Sequence, residues 1–137
     1  MIVGIGTDLV EIARIEQAVA RFGDRFAQRI LGPAEWQRYT HRRSRSARRG
    51  IAFLATRFAA KEAISKALGL GMRMPMTWRA VEILNAPSGA PLAQPRGALA
   101  EHVAQRRLRL HVSVTDEQTM AMAYAIAEVE PHAMEER

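Results

Sequence analysis

The chain has 137 residues and a mass of 15.3 kDa, which predict one compact domain over 1–137, since two domains of half this size would each have too little core. Apolar residues make up 48% and charged residues 25%, with no cysteine and no apolar run of membrane-spanning length, which excludes disordered, disulfide-linked and membrane-spanning classes and favours the cytoplasm. The formal net charge of +6 predicts an anionic partner: a nucleic acid, a nucleotide or an acidic protein.

The first half of the chain is predicted to form one strand followed by several helices. The polar stretch 41–50 indicates a basic loop or the start of a helix, because it has too few apolar residues for a core. Glycines and a proline mark the expected ends of the helices. The expected elements are a strand over 2–9 and helices over 13–22, from Asp24 to about Gly32, from Pro33 onward, and over 46–68 with Gly69 at its end.

The second half is predicted to consist mainly of short strands. The expected elements are strands over 78–84, 108–115 and 120–129, a turn over 85–91 and a helix over 97–106. The tail from Pro131 is expected to be frayed. This order predicts an α+β fold with a mainly antiparallel sheet packed with one long helix and several shorter ones, rather than a doubly wound fold.

Asp8 is the first candidate for chemistry. Its segment 4–9 starts like a glycine-rich loop with Gly4-Ile5-Gly6 but has Leu9 where a third glycine would stand, so it is not a dinucleotide-binding loop of the Rossmann type. Asp8 ends an apolar strand on the face that carries the two glycines, where an unpaired carboxylate is costly. We therefore expect Asp8 to bind a metal ion or ligand; the alternatives are a helix cap or a partner for Arg14.

Glu62 and Lys66 are a second candidate pair, four residues apart on the predicted long helix. The chain has eighteen arginines and only two lysines, and both lysines, Lys61 and Lys66, lie close to Glu62. The pair can be an ordinary surface ion pair. Together with Asp8, Glu62 can instead hold a hard cation such as Mg²⁺, which takes its remaining ligands from water and phosphate.

Two further patterns leave more than one interpretation open. His111, Ser113 and Thr115 share one face of a predicted strand, which is compatible with a Ser–His catalytic pair but is more typical of a polar edge facing solvent. Ten arginines between Arg14 and Arg49 can be a solvated face, but their density favours an anion-binding surface.

Three segments resemble the holo-acyl-carrier-protein synthase family of phosphopantetheinyl transferases. They are GIGTDLVEIARIE (4–16), RFAAKEAISKALGLG (57–71) and HVSVTDEQTMAMAYAIAE (111–128), in the family's order over nearly the whole chain. The resemblance implies Mg²⁺-dependent transfer of 4′-phosphopantetheine from coenzyme A to a serine of apo acyl carrier protein, with release of adenosine 3′,5′-bisphosphate, in support of fatty acid biosynthesis. It also implies a homotrimer with active sites between subunits.

The resemblance also assigns roles to individual residues. Asp8 and Glu62 become the Mg²⁺ ligands, and Lys66 becomes the cation beside the reacting phosphate. Many relatives carry His at the position of Asp116, so an imidazole contact made there does not transfer to this chain. The residues implied to dock the acidic carrier protein are Arg14, Arg21 and Arg25. Those implied to contact coenzyme A are Arg48, Arg49, Arg57, Lys61, Ser65, Gly69, His111, Ser113 and Asp116.

The last predicted strand gives an independent indication of assembly. One of its faces consists of alanines from Ala121 to Ala127, and the other carries Met120, Met122 and Tyr124, so both faces are expected to be buried. Closed association of identical chains buries such a surplus. The alternative is a monomer in which the alanines pack under the long helix and basic helices cover the other face.

Two other functions compete with the transferase. The basic stretch favours a small nucleic-acid-binding protein. Few aromatic residues for base stacking, and an acidic pair that phosphate binding does not require, argue against it. A catalytically idle trimeric scaffold is the third possibility, and the presence of Asp8, Glu62 and Lys66 argues against that.

Overall fold

The computed structural model describes residues 1–131. Apart from Pro131, the tail that was predicted to be frayed lies outside the described residues. The strands form two antiparallel sheets, one ordered β1-β5-β4 and the other a β2-β3 hairpin, which confirms the predicted α+β class. The elements in chain order are β1 (Ile2–Glu11), α1 (Ile12–Phe22), α2 (Asp24–Ile30), α3 (Pro33–Arg45), α4 (Ala47–Ala67), a 3₁₀ turn (Trp78–Ala80), β2 (Val81–Asn85), β3 (Pro91–Pro95), α5 (Gly97–Gln105), β4 (Leu108–Asp116) and β5 (Met120–Val129).

The prediction for 41–50 is wrong in its first half, which is helical. The helix α3 continues to Arg45, and α4 begins at Ala47. The break between them is Ser46, whose hydroxyl accepts a hydrogen bond from the backbone N–H of Arg49 at 3.3 Å and so caps α4. The polarity of this stretch does not prevent a helix, because arginine is a good helix former on an exposed face.

The long helix α4 is the centre of the core and is buried on most of its circumference. It packs against β1 and β5 of the three-stranded sheet. The four inward alanines of β5 are almost completely buried under the long helix, as the monomer alternative predicted for this face. Because the side chains on both sides of this contact are short, the helix and the sheet approach each other closely.

Two glycines bring β1 into contact with the backbone of α4. A Cβ on Gly4 would lie 1.7 Å from the carbonyl oxygen of Ala67, and one on Gly6 would lie 1.9 Å from that of Ala63. No other residue fits at either position without moving the strand. Successive inward residues of β1 therefore follow α4 turn by turn, and the next inward residue after Gly6 is Asp8.

The outer face of the three-stranded sheet is uncovered, and it is apolar over β1 and β5 but polar over β4. Val3, Ile5, Leu9 and Tyr124 are between 53% and 63% exposed. The alternative in which basic helices cover this face is wrong, because these side chains stay exposed while α1, α2 and α3 pack mainly on α4, on each other, on β2 and on the 3₁₀ turn. Contiguous exposed apolar surface of this kind is typical of a protein interface.

Candidate active site

An acidic pair and a lysine meet at the β1 edge of the sheet. The Lys66 ammonium donates hydrogen bonds to the carbonyl oxygen of Thr7 at 2.9 Å and to Asp8 Oδ1 at 3.3 Å. Lys66 therefore contacts Asp8 across the fold, in addition to being four residues from Glu62 on α4. Arg14 approaches Glu11 at 4.0 Å, so the alternative in which Asp8 pairs with Arg14 is wrong.

The electrostatics of this edge favour a bound cation. Partial burial raises the pKa of the Glu62 carboxyl, the nearby Asp8 charge raises it further, and Lys66 acts in the opposite direction. Two carboxylates with one exposed lysine leave negative charge that a hard metal ion would neutralise. Within residues 1–131 no group of three or more His, Asp or Glu side chains converges, so an ion held by Asp8 and Glu62 would complete its shell with water or phosphate oxygens.

A basic cleft of about 740 Å³ opens on the β4 side of the molecule, between α3, α4, β2 and β4. The coenzyme contacts predicted at Arg49, Arg57 and Asp116 line this cleft. Arg48 does not line it, and instead donates to the carbonyl oxygen of Gln118 at 3.1 Å, in the turn before β5. The other charged or polar residues that line the cleft are Arg38, His41, Arg42, Arg45, Thr56 and Asn85.

Arg57 forms the buried floor of the basic cleft. Its guanidinium donates to the carbonyl oxygen of Ile83 at 3.1 Å and to Asn85 Oδ1 at 3.0 Å, and lies 4.0 Å from the ring centre of Phe53. Burial lowers its pKa to about 10, with the Glu35 charge acting in the opposite direction, so Arg57 stays cationic at neutral pH. A fixed, weakly hydrated cation of this kind suits phosphate recognition.

The acidic edge and the basic cleft face different directions. The two outer strands of the sheet, β1 and β4, carry Asp8 and Asp116 at opposite edges. On α4, Glu62 and Arg57 are five residues apart, which separates their directions by about 140° around the helix axis. The body of α4 and strand β5 therefore lie between the two regions of a single chain.

The prediction that Lys61 contacts coenzyme A is wrong. Its side chain has 0% exposure, and its ammonium donates to Glu35 Oε1 and to the carbonyl oxygen of Ile30, each at 2.6 Å. Burial lowers the pKa of this ammonium, and the Glu35 carboxylate acts in the opposite direction. No exposed surface remains on Lys61 for a ligand.

The other predicted contacts on α4 have local roles. Ser65 is buried, and its hydroxyl donates to the carbonyl oxygen of Glu62 at 2.7 Å. Gly69 follows the helix with a φ of +73°, and its N–H donates to the carbonyl oxygen of Lys66, so it ends α4 as predicted. Both residues support the turn of α4 that carries Glu62 and Lys66.

His111 and Ser113 lie on the exposed outer face of β4. His111 Nε2 is 2.9 Å from Glu128 Oε1 on β5, so the histidine is paired with a carboxylate rather than with a serine. This supports a polar strand face over a Ser–His catalytic pair.

Arg14, Arg21 and Arg25, the predicted carrier-docking residues, are all exposed on α1 and α2. Sequence reasoning missed Arg38 and Arg42 as individual cleft residues. Their spacing of four places them on one helix face, which Arg45 continues, and this is the signal that could have identified them.

Comparison with known proteins identifies the class of this fold and site. Residues 4–127 match the 4′-phosphopantetheinyl transferase superfamily. The chain is 59% identical over 128 residues to a holo-[acyl-carrier-protein] synthase of Herminiimonas arsenicoxydans, covering 93% of this chain and 98% of that relative. It is 57% identical over 129 residues to the enzyme of the same name from Ralstonia nicotianae, covering 94% of each. The chain therefore belongs to the 4′-phosphopantetheinyl transferase superfamily, as the sequence resemblance predicted.

Solved structures give the same result. The crystal structure of the holo-[acyl-carrier-protein] synthase from Neisseria meningitidis superposes with a TM-score of 0.86 at 36% identity, covering 93% of this chain and 99% of that one. The synthase from Bacillus anthracis, solved in complex with CoA (3′,5′-ADP), gives 0.78 at 32% identity, covering 95% and 99%. The protein is thus a transferase enzyme similar to the holo-[acyl-carrier-protein] synthases. Among residues 1–131, no helix combines the length and the hydropathy needed to cross a membrane.

Proposed function

We propose that the protein transfers the 4′-phosphopantetheine group of coenzyme A to a serine of an apo acyl carrier protein, releasing adenosine 3′,5′-bisphosphate in support of cytoplasmic fatty acid biosynthesis. The observation that carries the proposal is the convergence of Asp8, Glu62 and Lys66 at one edge of the sheet. Relatives at 56–59% identity carry the name of this activity, and the synthase from Helicobacter pylori was solved in complex with coenzyme A.

Asp8 and Glu62 would hold the metal ion in this proposal. Their oxygen donors fit Mg²⁺, which needs few protein ligands and keeps water and substrate oxygens in its shell. Bound there, the ion would supply charge neutralisation at the pyrophosphate.

The side chains at the acidic edge have distinct roles in the transfer. The carrier's serine oxygen attacks the β-phosphorus of coenzyme A, and the bond from that phosphorus to the bridging oxygen breaks, leaving adenosine 3′,5′-bisphosphate. The Lys66 ammonium stabilises the negative charge that develops on the departing phosphate. Glu62, whose pKa is raised by burial, is the candidate to accept the serine proton.

The remaining substrate contacts follow from the charges on the surface. We expect Arg49 and Arg57 to hold coenzyme phosphates, with Arg38 and Arg42 beside them in the basic cleft. The exposed arginines of α1 and α2, at 14, 21 and 25, would dock the acidic carrier protein.

A site shared between subunits follows from the separation of the two regions. The acidic edge and the basic cleft face different directions on one chain, so one coenzyme A would reach both only when they come from neighbouring chains. The uncovered apolar face with Val3, Ile5, Leu9 and Tyr124 offers the surface for that association. We therefore propose a homotrimer with its active sites between subunits.

The decisive experiment is intact-mass analysis of an apo acyl carrier protein incubated with this enzyme, coenzyme A and Mg²⁺. The carrier should gain the mass of one phosphopantetheine group, and should gain none when a chelator is present. A matched control uses the enzyme with Glu62→Gln. A carrier that stays unmodified after incubation with folded wild-type enzyme, coenzyme A and Mg²⁺ would contradict the proposal. Retention of nucleic acid by the enzyme in a filter-binding assay across a salt series would instead favour the competing function.

A further inference from the structure

A buried charge network lies on the side of α4 away from the sheet. At its centre is the ion pair of Lys61 and Glu35, both with 0% side-chain exposure and 2.6 Å apart. The same ammonium donates to the carbonyl oxygen of Ile30, the last residue of α2. Buried pairs of this kind contribute little net stability, but loss of one partner leaves an uncompensated charge.

Glu35 connects this lysine to two more elements. Its Oε1 accepts from the N–H of Gly32 at 2.9 Å, just before α3, and its Oε2 accepts from the N–H of Ile83 in β2 at 2.7 Å. The end of α2, the start of α3 and β2 therefore all meet on the Lys61–Glu35 pair. A second carboxylate, Glu82, closes the junction by accepting from the N–H groups of Ala34 and Glu35 and from Arg96.

The opposite side of α4 gives little information about the rotation of the helix. There, Ala59, Ala60, Ala63 and Ala67 pack on the sheet, and all four are at most 5% exposed. Because alanine side chains are short and interlock little with the sheet, small rotations of α4 change the packed volume there only slightly. The Lys61 ammonium, in contrast, is held between two buried acceptors, Glu35 Oε1 and the carbonyl oxygen of Ile30, which restricts the rotation of the helix.

We propose that Lys61, acting through Glu35, is a positioning residue that fixes the rotation of α4 and so holds Glu62 and Lys66 against Asp8. Glu62 directly follows Lys61 in the chain, so any rotation that moves the buried ammonium moves the carboxylate by the same angle. The inference rests on the proposed function in one respect only, namely that this edge is the metal site and the catalytic site.

The test compares two variants of the same buried network. Lys61→Met removes the ion pair that joins α4 to Glu35. Glu82→Gln weakens the junction between α3, β2 and Arg96 and changes no side chain of α4. Mn²⁺ affinity is measured by titration calorimetry on the full chain, at a temperature where circular dichroism shows both variants folded. We expect Lys61→Met to lower the affinity about tenfold or more, the size of effect usual for residues that orient metal ligands, and Glu82→Gln to leave it within about threefold of the wild type.

A second variant addresses the charge that Lys61→Met leaves on Glu35. The double variant Lys61→Met/Glu35→Gln carries no buried charge at this position, and it should remain weak in Mn²⁺ binding even where its stability recovers. Wild-type affinity in either Lys61 variant, or equal losses in Lys61→Met and Glu82→Gln at equal stability, would overturn the proposal. If the wild type does not bind Mn²⁺, both the positioning role of Lys61 and the assignment of Asp8 and Glu62 as metal ligands are overturned. Absence of transfer by a wild type that binds Mn²⁺ would contradict only the proposed function.

Discussion

The backbone of Gly6 lies directly against the carbonyl oxygen of Ala63, so close that a Cβ on Gly6 would be 1.9 Å from that oxygen. This contact sets the distance between β1 and α4. Since β1 carries Asp8 and α4 carries Glu62, it also sets the separation of the two carboxylates. The absence of a side chain at Gly6 is therefore a condition for the short distance between Asp8 and Glu62.

Gly6→Ala should therefore lower both stability and activity. The added methyl has to push β1 away from the helix backbone, at a cost of about 1–3 kcal/mol or more in free energy of unfolding, and the transfer rate should fall further than the loss of folded protein explains. Urea unfolding and the transfer assay measure the two effects. Gly23→Ala is the control, because a φ of +66° makes it lose stability through backbone strain while open space around it leaves β1 and α4 in place. It should therefore show no loss of transfer rate beyond its loss of folded protein, and an equal excess loss in the two variants would refute this account.

Asp8→Asn and Glu62→Gln should each reduce the transfer rate with Mg²⁺ by about a hundredfold or more, because a neutral amide then replaces a charged metal ligand. Both changes keep the size of the side chain, so circular dichroism should be unchanged. Glu101→Gln, an exposed acid on α5, is the matched control and should remain fully active. Near-normal turnover in either site variant would rule out that residue as a ligand.

Stability should depend on pH through Glu62. Burial and the Asp8 charge raise the pKa of Glu62 in the folded state. Its favourable contribution to folding is therefore present below its ordinary pKa of 4.5 and is lost as the pH rises through the folded pKa. Without metal, Glu62→Gln should be more stable than the wild type at pH 7, and the difference should shrink toward pH 4. Urea unfolding in a chelator across this range gives the comparison; a less stable variant at pH 7 would contradict it.

Arg14→Glu and Arg21→Glu should raise the KM for the carrier protein far more than the KM for coenzyme A. Both arginines are exposed on α1, away from the basic cleft, and an acidic partner attracted to them should bind more weakly as salt increases. Arg106→Glu, on the far side near α5, serves as a charge-matched control. Equal effects on both substrates, or a wild type insensitive to salt, would argue against this docking surface.

Mixed assemblies should reveal a shared site. A chain with Glu62→Ala lacks the acidic half and one with Arg49→Ala/Asp116→Ala lacks the cleft half, so subunit exchange between them should restore part of the activity. Mixing Glu62→Ala with Asp8→Ala should restore none, because both chains then lack the same half. Light scattering should give about three times the chain mass of 15.3 kDa. A monomeric mass, or no rescue after demonstrated exchange, would exclude the shared site.

Sequence patterns predicted the parts of this protein that depend on local regularity. Alternation in β1 and the two glycines indicated the face on which Asp8 lies, and the turn residues bounded β4 and β5 to within one residue. The strand predicted over 78–84 is wrong at its start, because Trp78–Ala80 form a 3₁₀ turn and β2 begins at Val81. The resemblance assigned Lys61 to coenzyme A, and nothing in its local sequence beside Glu62 indicates that its side chain is buried. Its burial depends on Glu35, which is distant in sequence, and only the packing of α3 and β2 on α4 brings that carboxylate to it. The extension of α3 to Arg45 was missed because surface helices rich in arginine lack the apolar period that identifies buried ones.

The alanine contact between β5 and α4 also has a consequence for how the protein tolerates change. Alanine is the smallest residue with a side chain, so every replacement except glycine enlarges this layer, and substitutions there act as wedges rather than as voids. A scan of apolar replacements across Ala121, Ala123, Ala125 and Ala127 should therefore rank the variants by added volume. Larger side chains at these positions would also tilt α4 relative to β1. Even replacements that leave the chain folded would therefore increase the distance between Asp8 and Glu62, although none of them contacts either carboxylate.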